Sequence, residues 1–224
     1  MGAAILALLG LVAVAAPLLA PHSPIATDLA HRLEPPGAAH PLGRDDLGRD
    51  VWSRLLWGAR TSLPAAVLVV AVSAGLGTFL GATAGLVGGR VDLAIMAIAD
   101  LLLAFPGILL AITVVAARGP GIANVIGALT LLGWVGFARL ARGEALRLRQ
   151  REFVEAARSA GAGRGRLLLR HIAPLLAGPV MVQAAFALGG VVLAEAGLSF
   201  LGIGVPPPAP TWGGMLRDAC QNLL

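Results

Sequence analysis

Residues 155–174 read EAARSAGAGRGRLLLRHIAP, and this basic segment lies between two long apolar stretches at 121–138 and 172–194. The segment begins with helix-compatible residues, and Gly161 and Gly163 are expected to end that helix in a sharp turn. A second amphipathic piece follows, and Pro174 marks where the next apolar stretch begins. We therefore predict a short helix, a turn and a further helix that connect two membrane spans.

The composition of the whole chain places it in a membrane. Hydrophobic residues make up 57% of the 224 residues and charged residues only 13%, whereas about a quarter of a soluble domain is charged. We predict an all-α, polytopic membrane protein. A signal peptide is the alternative for the first apolar stretch, but no Arg precedes it and its apolar run is long, so we expect a retained helix. Five stretches are predicted to span the bilayer: Ala3–Ala20, Leu63–Val87, Val91–Ala117, Gly121–Ala138 and Ile172–Ala194.

The distribution of arginine predicts the orientation of the chain. Nine of the seventeen Arg lie within residues 139–170, and such an excess is typical of cytoplasmic loops. Segment 142–173 is therefore predicted to be cytoplasmic, residues 1–20 a first transmembrane helix, and residues 21–60 external, with 61–224 forming the main transmembrane domain. Five Arg in the external segment oppose this orientation. Five acidic residues bring the net charge of that segment near zero, but acids count for little in the positive-inside rule, so the objection is real and is outweighed by the nine Arg of the other segment.

Several function classes are disfavoured by what the sequence lacks. The chain contains no Lys, which excludes a nucleotide-binding P-loop and Schiff-base chemistry. Membrane orientation accounts for the net charge of +5, so no nucleic-acid partner is expected. No Ser has the setting of a hydrolase nucleophile, and no catalytic residue is expected. No metal site is predicted either, because the four histidines are scattered without ligand spacing: His22, His31, His40 and His171.

Two carboxylates and one proline within the spans are candidate functional residues. Asp100 lies about 12 Å along a helix from Asp92, which is at the membrane edge. Since a carboxylate in hydrocarbon costs about 2.5–3.5 kcal/mol, Asp100 must face protein or water, either in a polar path through the membrane or bonded to a neighbouring helix. Glu195 is expected near the external face, where it contacts a ligand or another protein, or else packs between helices. Pro106 is predicted to kink the third span.

Small residues recur at four-residue intervals along the second span. Such a stripe lies on one helix face and allows another backbone to approach closely. We therefore predict tight helix packing here rather than a substrate site. The residues of the stripe are Ser73, Gly77, Gly81, Gly85 and Gly89.

The basic segment resembles the EAA loop, by which import permeases of the ABC transporter class dock onto a separate ATPase. The family pattern is Glu-Ala-Ala, three residues, Gly, nine residues, then Ile-x-Leu-Pro. His171 and Ala173 depart from it, at the positions of Ile and Leu. The pattern is otherwise matched at Glu155, Ala156, Ala157, Gly161 and Pro174.

Further motifs narrow the resemblance to one branch of these permeases. From about residue 17 to its end, the chain resembles the second permease subunit of the dipeptide, oligopeptide and nickel importers. The branch usually has Gly-Thr-Asp where this chain has Gly43-Arg44-Asp45. The motifs are HPLGRDDLGRDVWSR at 40–54, GARTSL at 58–63, LAFP at 103–106, EAGLSFLGIG at 195–204 and WGGML at 212–216.

The resemblance implies the type I importer fold in the cytoplasmic membrane of a bacterium or archaeon. Such permeases usually have six spans in this part, so a sixth span looks to be missing at the C-terminus. The implied partners are a homologous second permease, two ATPase subunits and an extracytoplasmic substrate-binding protein. ATP and Mg²⁺ would be bound by the ATPase subunits, and no cofactor is expected in this chain. Glu155, Ala156, Ala157 and Gly161 would transmit the ATPase movement to the path.

Alternatives remain at the level of substrate and mechanism. Small peptides are the preferred substrate, and nickel is the alternative. An ATP-independent channel or secondary transporter would need ion-coupling residues within the spans, for which only Asp100 and Glu195 qualify. An intramembrane protease would need a buried nucleophile with its base, and no span has a Ser–His or Asp–Asp pair.

Overall fold

The computed structural model describes the backbone of residues 2–221 and the side chains of residues 8–221. Within these residues the only extended pairing is an isolated bridge between Arg44 and Asp50. The predicted all-α class is therefore confirmed. The helices are α1 (Gly2–Leu19), α2 (Val51–Val87), α3 (Gly89–Leu103), α4 (Gly107–Arg118), α5 (Ile122–Leu148), α6 (Glu152–Ser159), α7 (Arg164–Phe200) and α8 (Trp212–Gln221), with a 3₁₀ turn at Leu29–His31.

Three of the described helices, α2, α5 and α7, are long and apolar enough to cross a bilayer. Helices α3 and α4 meet the same criteria only as a bent pair, which would make a fourth span. In α1 the apolar stretch with described side chains, Leu8–Leu19, is shorter. The predicted number of five spans is therefore not confirmed.

The third predicted span is two helices rather than one kinked helix. Helix α3 ends at Leu103, α4 begins at Gly107, and their axes differ by 86°. Pro106 has no N–H to continue the ladder of α3. Its carbonyl oxygen instead accepts the N–H of Leu110 at 3.1 Å, which starts α4. The predicted kink at Pro106 is thus a complete break.

Three helix boundaries differ from the prediction. Helix α2 begins at Val51, so the last part of the predicted external segment 21–60 is helical. Helix α5 continues ten residues past Ala138, which places the first residues of the predicted loop 142–173 on a helix. Helix α7 runs without interruption from the basic segment into the apolar stretch, through a π-helical part at Leu167–Ile172.

The last described helix, α8, begins at Trp212. Residues 222–224 of the predicted transmembrane domain, and Met1 of the predicted first helix, lie outside the described residues.

The chain divides into two compact units. The first comprises the described parts of 1–67, 114–126 and 192–224, and the second comprises 68–113 and 127–191. In the first unit, α8 packs on the beginning of α2. The Trp212 Nε1–H donates to the carbonyl oxygen of Leu55 at 3.1 Å, and the indole lies against Gly58, where an added Cβ would be 2.9 Å from Trp212 Cδ1.

In the second unit, α2 and α5 approach each other through the glycine stripe. A Cβ on Gly77 would lie 2.7 Å from Cβ of Phe137, and one on Gly85 would lie 2.7 Å from the carbonyl oxygen of Arg142. A Cβ on Gly81 would overlap the backbone of Ala138. The predicted packing role is confirmed for these three glycines. Ser73 extends the contact, because its hydroxyl lies against Gly133, whereas Gly89 has no such close neighbour.

Candidate functional site

The segment between α5 and the apolar part of α7 lies within the second unit and is built around α6. Glu152 and Glu155 lie in the first turn of α6, where acidic side chains complement the helix dipole. The helix ends in a Schellman motif: the N–H of Gly161 donates to the Arg158 oxygen, and the N–H of Ala162 to the Ala157 oxygen, both at 3.0 Å. The predicted helix–turn–helix arrangement is therefore present.

Gly161 provides the backbone conformation that this motif requires. Its φ angle is +84°, in the left-handed region that β-branched residues avoid. No atom lies within 4 Å of an added Cβ at Gly161, so the requirement comes from conformation and not from space. Gly163, which we expected to contribute to the turn, has φ −68° and ψ 162°, an extended conformation open to any residue. The turn therefore depends on one glycine and not on two.

One face of the segment is anchored in the core of the second unit. Val154 of α6 is fully buried, and it belongs to a hydrophobic cluster with Leu148 at the end of α5. Three residues of the π-helical part of α7 join this cluster: Leu167, Leu168 and Ile172. Helix α6 is therefore packed against the start of the long apolar helix α7.

The opposite face of the segment is open. Of the five residues matched to the EAA pattern, Glu155, Ala156, Gly161 and Pro174 are exposed, and Ala157 is partly buried against the cluster. Small side chains at 156 and 157 leave that side of α6 thin. Pro174 lies where the π-helical part passes into regular α-helix, and it has no N–H to donate to the oxygen of Arg170.

A groove of about 650 Å³ runs beside this open face. Glu155 and Arg158 line it from α6, and Arg164 lines it from the start of α7. Arg149 lines it from the end of α5 and is fixed in place, because its Nη1–H donates to the Gly85 oxygen at 3.1 Å. The groove thus offers three cations and one carboxylate to a partner.

Asp100 pairs with Arg139 of α5, whose Nη2–H donates to the carboxylate at 2.6 Å. Both side chains remain accessible, with 65% of the Asp100 side chain exposed. Asp92 is held in the same way by Arg142, at 2.7 Å for one of two hydrogen bonds. These arginines were assigned to a loop in the sequence, and their partnership was missed. Asp92, the earlier acid in the chain, pairs with Arg142, the later base, and Asp100 pairs with Arg139. Two antiparallel helices produce this reversed order, and it is the sequence signal that could have revealed the pairs.

Glu195 lies in the first unit and is buried, with 1% of its surface exposed. Its Oε1 accepts the hydroxyl hydrogen of Ser199 at 2.8 Å, one helical turn further along. Its Oε2 is buried without a hydrogen-bond partner among the described residues. The Glu195 side chain is therefore enclosed in this structure.

A network of ion pairs, which the sequence did not reveal, joins the 21–60 segment to α8 in the first unit. Oδ2 of Asp45 accepts from Arg49 Nε and from Arg54 Nη1, both at 2.7 Å. Both arginines also donate to Oδ2 of Asp218 at 3.3 Å. Burial, together with Asp46, raises the pKa of the Asp218 carboxyl above its usual range, against the opposing effect of Arg49.

Two of the histidines considered scattered in the sequence meet at Asp50, at the start of α2. His40 Nδ1 lies 2.8 Å from Asp50 Oδ1, and His22 Nδ1 lies 3.9 Å from Asp50 Oδ2. Oδ2 also accepts the N–H of Ser53 at 2.8 Å, as an N-cap residue does. Burial would raise the pKa of Asp50, but hydrogen bonds from Ser53 and His40 outweigh it and hold that pKa below its usual range.

Comparisons with known proteins agree with this architecture. Residues 77–221 match the family described as the binding-protein-dependent transport system inner membrane component, and residues 1–36 match the N-terminal TM domain of oligopeptide transport permease C. The nickel transport system permease protein NikC of Escherichia coli (strain K12) is 43% identical over 219 residues, covering 98% of this chain and 79% of that protein. The dipeptide transport system permease protein DppC of Alkalihalophilus pseudofirmus is 42% identical over 94% of this chain and 69% of its own length.

A third relative is the glutathione transport system permease protein GsiD of Pectobacterium atrosepticum, which is 47% identical over 85% of this chain and 64% of its own length. These similarities extend across both units. The resemblance to peptide and nickel importer permeases is confirmed, and the chain belongs to the family of binding-protein-dependent transport system inner membrane components.

Proposed function

We propose that this chain is the second permease subunit of an ATP-driven, binding-protein-dependent importer in the cytoplasmic membrane of a bacterium or archaeon. Two ATPase subunits would bind ATP and Mg²⁺, a homologous permease would complete the translocation path, and an extracytoplasmic binding protein would deliver the substrate. The family membership and the apolar helices α2, α5 and α7 support this proposal. The chain itself would perform no chemistry.

The exposed apolar surface of α7 supports a partner and a bilayer around this subunit. Met181 is 73% exposed and Phe186 is 78% exposed in the isolated chain. Side chains of this size are normally buried, and a surface of this kind requires lipid or another helix. The second permease and the hydrocarbon core together account for it.

The observation that carries the coupling role is that α6 is anchored on one face and open on the other. An ATPase that holds the open face would move Val154, and with it the hydrophobic cluster that includes Leu167 and Ile172. Because those residues belong to α7, the movement would pass directly into a membrane helix. We assign ATPase coupling to Glu155, Ala156, Ala157, Gly161 and Pro174.

The substrate we propose is a small peptide, with nickel as the alternative. Two of the relatives are named as dipeptide and glutathione transport permeases, and another relative of nearly equal similarity is named as a nickel transport permease. Asp100 remains the candidate lining residue of the path, because its carboxylate is accessible beside Arg139. We assign the buried Glu195 to helix packing instead.

The first test is uptake by the complete system in a host that lacks its own peptide and nickel importers. Labelled dipeptide and labelled nickel are offered in parallel to the parent, Gly161→Val and Gly163→Val. We expect Gly161→Val to reduce uptake at least tenfold, since valine disfavours φ +84° and the turn that closes α6 is lost. Gly163→Val should retain uptake, because its backbone is extended and an added Cβ meets no atom within 4 Å.

The pair of variants separates coupling from general damage. Both glycines are exposed and lie two residues apart, Gly163 beside the groove, and only Gly161 has a positive φ. Equal uptake by both variants would contradict the coupling assignment. If the parent takes up dipeptide and Gly161→Val does not, the chain belongs to a peptide importer. If the parent instead takes up nickel and Gly161→Val does not, only the choice of substrate is overturned.

A further inference from the structure

The cluster of His22, His40 and Asp50 belongs to the first unit and has no part in the coupling segment. Their ligand atoms all lie within 4.8 Å of one another. The imidazole rings of the two histidines are 4.4 Å apart between centroids and tilted by 33°. Two imidazoles and one carboxylate are therefore grouped closely together.

The spacing of these atoms suits a transition-metal ion. Zinc binds imidazole nitrogen and carboxylate oxygen at about 2.0–2.2 Å, so two ligand atoms of one ion lie roughly 3–3.5 Å apart. The separations of 2.8 and 3.9 Å to Asp50 fall on either side of that range. Because the three ligand atoms lie within 4.8 Å of one another, shifts of about 1 Å at each side chain, within the freedom of side-chain rotation, would bring all three to bonding distance.

We propose that His22, His40 and Asp50 form a binding site for a divalent first-row transition-metal ion. Imidazole nitrogen favours zinc, nickel and copper, whereas magnesium and calcium favour sites made of oxygen alone. Three protein ligands leave the fourth coordination position of the ion for a water molecule. The adjoining cavity of about 210 Å³ has space for that water. The site does not depend on which substrate the importer carries.

The surroundings of the cluster favour a cation. Asp28 and Arg44 line the same cavity as Asp50, and Arg44 is already paired, its Nη1 lying 2.8 Å from Oδ2 of Asp28. The remaining carboxylate charge at Asp50 is compensated by no arginine among the described ion pairs. The His22 side chain is 41% exposed, which gives an ion a route of entry.

Neighbouring hydrogen bonds would hold the ligands in place. The Ser53 N–H fixes Asp50 Oδ2, and the Ser53 hydroxyl accepts the backbone N–H of His22 at 3.2 Å. Partners of this kind orient metal ligands and raise affinity. A hydrogen bond alone explains the pairing of His40 with Asp50, but the His22 ring makes no hydrogen bond within the described residues and a metal ion would give it a role.

The test uses the assembled importer in lipid nanodiscs, stripped with a chelator and titrated with Zn²⁺ and Co²⁺ by calorimetry and visible absorption. His22→Ala removes one ligand from a half-exposed position. His31→Ala is the matched control, because His31 lies in the same segment and bonds Asp28 outside the cluster. We expect one ion per copy of this chain in the parent, a Kd at least tenfold higher in His22→Ala, and no change in His31→Ala.

The Co²⁺ spectrum provides a second measurement. Ligand-field absorption that the parent and His31→Ala show, and that His22→Ala lacks, would place the ion at this cluster even if partner subunits bind metal elsewhere. Equal affinities and equal spectra in the parent and His22→Ala would overturn the proposal. Zn²⁺ titration of the parent without any binding would overturn it as well. Thermal unfolding of the metal-free variants checks that each has folded.

Discussion

Asp45 is the carboxylate on which two buried arginines depend. Arg49 is 5% exposed and Arg54 is 4% exposed, and both donate to the same oxygen of Asp45. Without Asp45 both arginines keep only their longer hydrogen bonds to Asp218 at 3.3 Å, and breaking a buried ion pair costs about 3–5 kcal/mol, which those bonds would partly offset. We therefore expect Asp45→Ala to lower the free energy of unfolding by about 3 kcal/mol, measured by chemical unfolding in detergent micelles.

Asp46 provides the control for that prediction. Its side chain is 30% exposed and approaches Arg49 only to 3.6 Å. Exposed or distant ion pairs contribute about 0–1 kcal/mol, so Asp46→Ala should cost less than about 1 kcal/mol. If the two variants lost equal stability, the ion pairs of Asp45 would stabilise the fold no more than the exposed pair of Asp46 does. The ordering of residues 21–50 would then need another cause.

Contacts of this kind could not be predicted from the sequence. Arg49 and Asp218 lie 169 positions apart, and nothing local to either residue indicates the other. The same holds for His22 and His40, whose separation has no ligand periodicity. In contrast, the need for glycine at 161 could be predicted, because a positive φ depends on the residue itself and its helix end.

At the scale of the helix, Gly81 is the closest contact between α2 and α5. Any side chain at 81 would overlap the backbone of Ala138 and force the two helices apart. We expect Gly81→Ala to lower the midpoint of thermal unfolding, because overpacking against backbone costs about 1–3 kcal/mol. Gly75→Ala should keep or raise that midpoint, since an added Cβ at Gly75 meets no atom within 4 Å and alanine is the better helix former. Equal midpoints for both variants would contradict the tight packing of these helices.

The elements themselves were only partly predictable. The packing of Gly77, Gly81 and Gly85 and a disturbance of the helix at Pro106 could be predicted because each acts through its own backbone, whereas the complete break at Pro106 was not predicted. The start of α2 was predicted late, at Leu63, because hydropathy indicates how much of a helix is apolar and not how long it is. Polar residues such as Ser53 and Arg54 begin the helix behind the Asp50 N-cap. The end of α5 was missed for the same reason, since Arg139 and Arg142 pair with acids of α3.

For the whole molecule, the two arginine-bearing segments differ in how many of their arginines are paired with carboxylates. Three of the five arginines in residues 21–60 bond to carboxylates of their own unit: Arg44, Arg49 and Arg54. Six arginines in the segment 149–172 face only two acidic residues there, Glu152 and Glu155. Free positive charge is therefore concentrated on the segment that we expect in the cytoplasm.

Labelling of single cysteines tests this orientation in cells. Ser23 and Ser159 are both exposed, one in each of the two segments, and Cys220 is replaced by Ser to give a background without thiols. We expect a membrane-impermeant maleimide to label Ser23→Cys in intact spheroplasts and to label Ser159→Cys only after the membrane is permeabilised. The opposite pattern would invert the topology, and an ATPase could then not reach α6. Because transport in each variant reports that the importer still assembles, the labelling pattern decides on which side of the membrane the coupling segment lies.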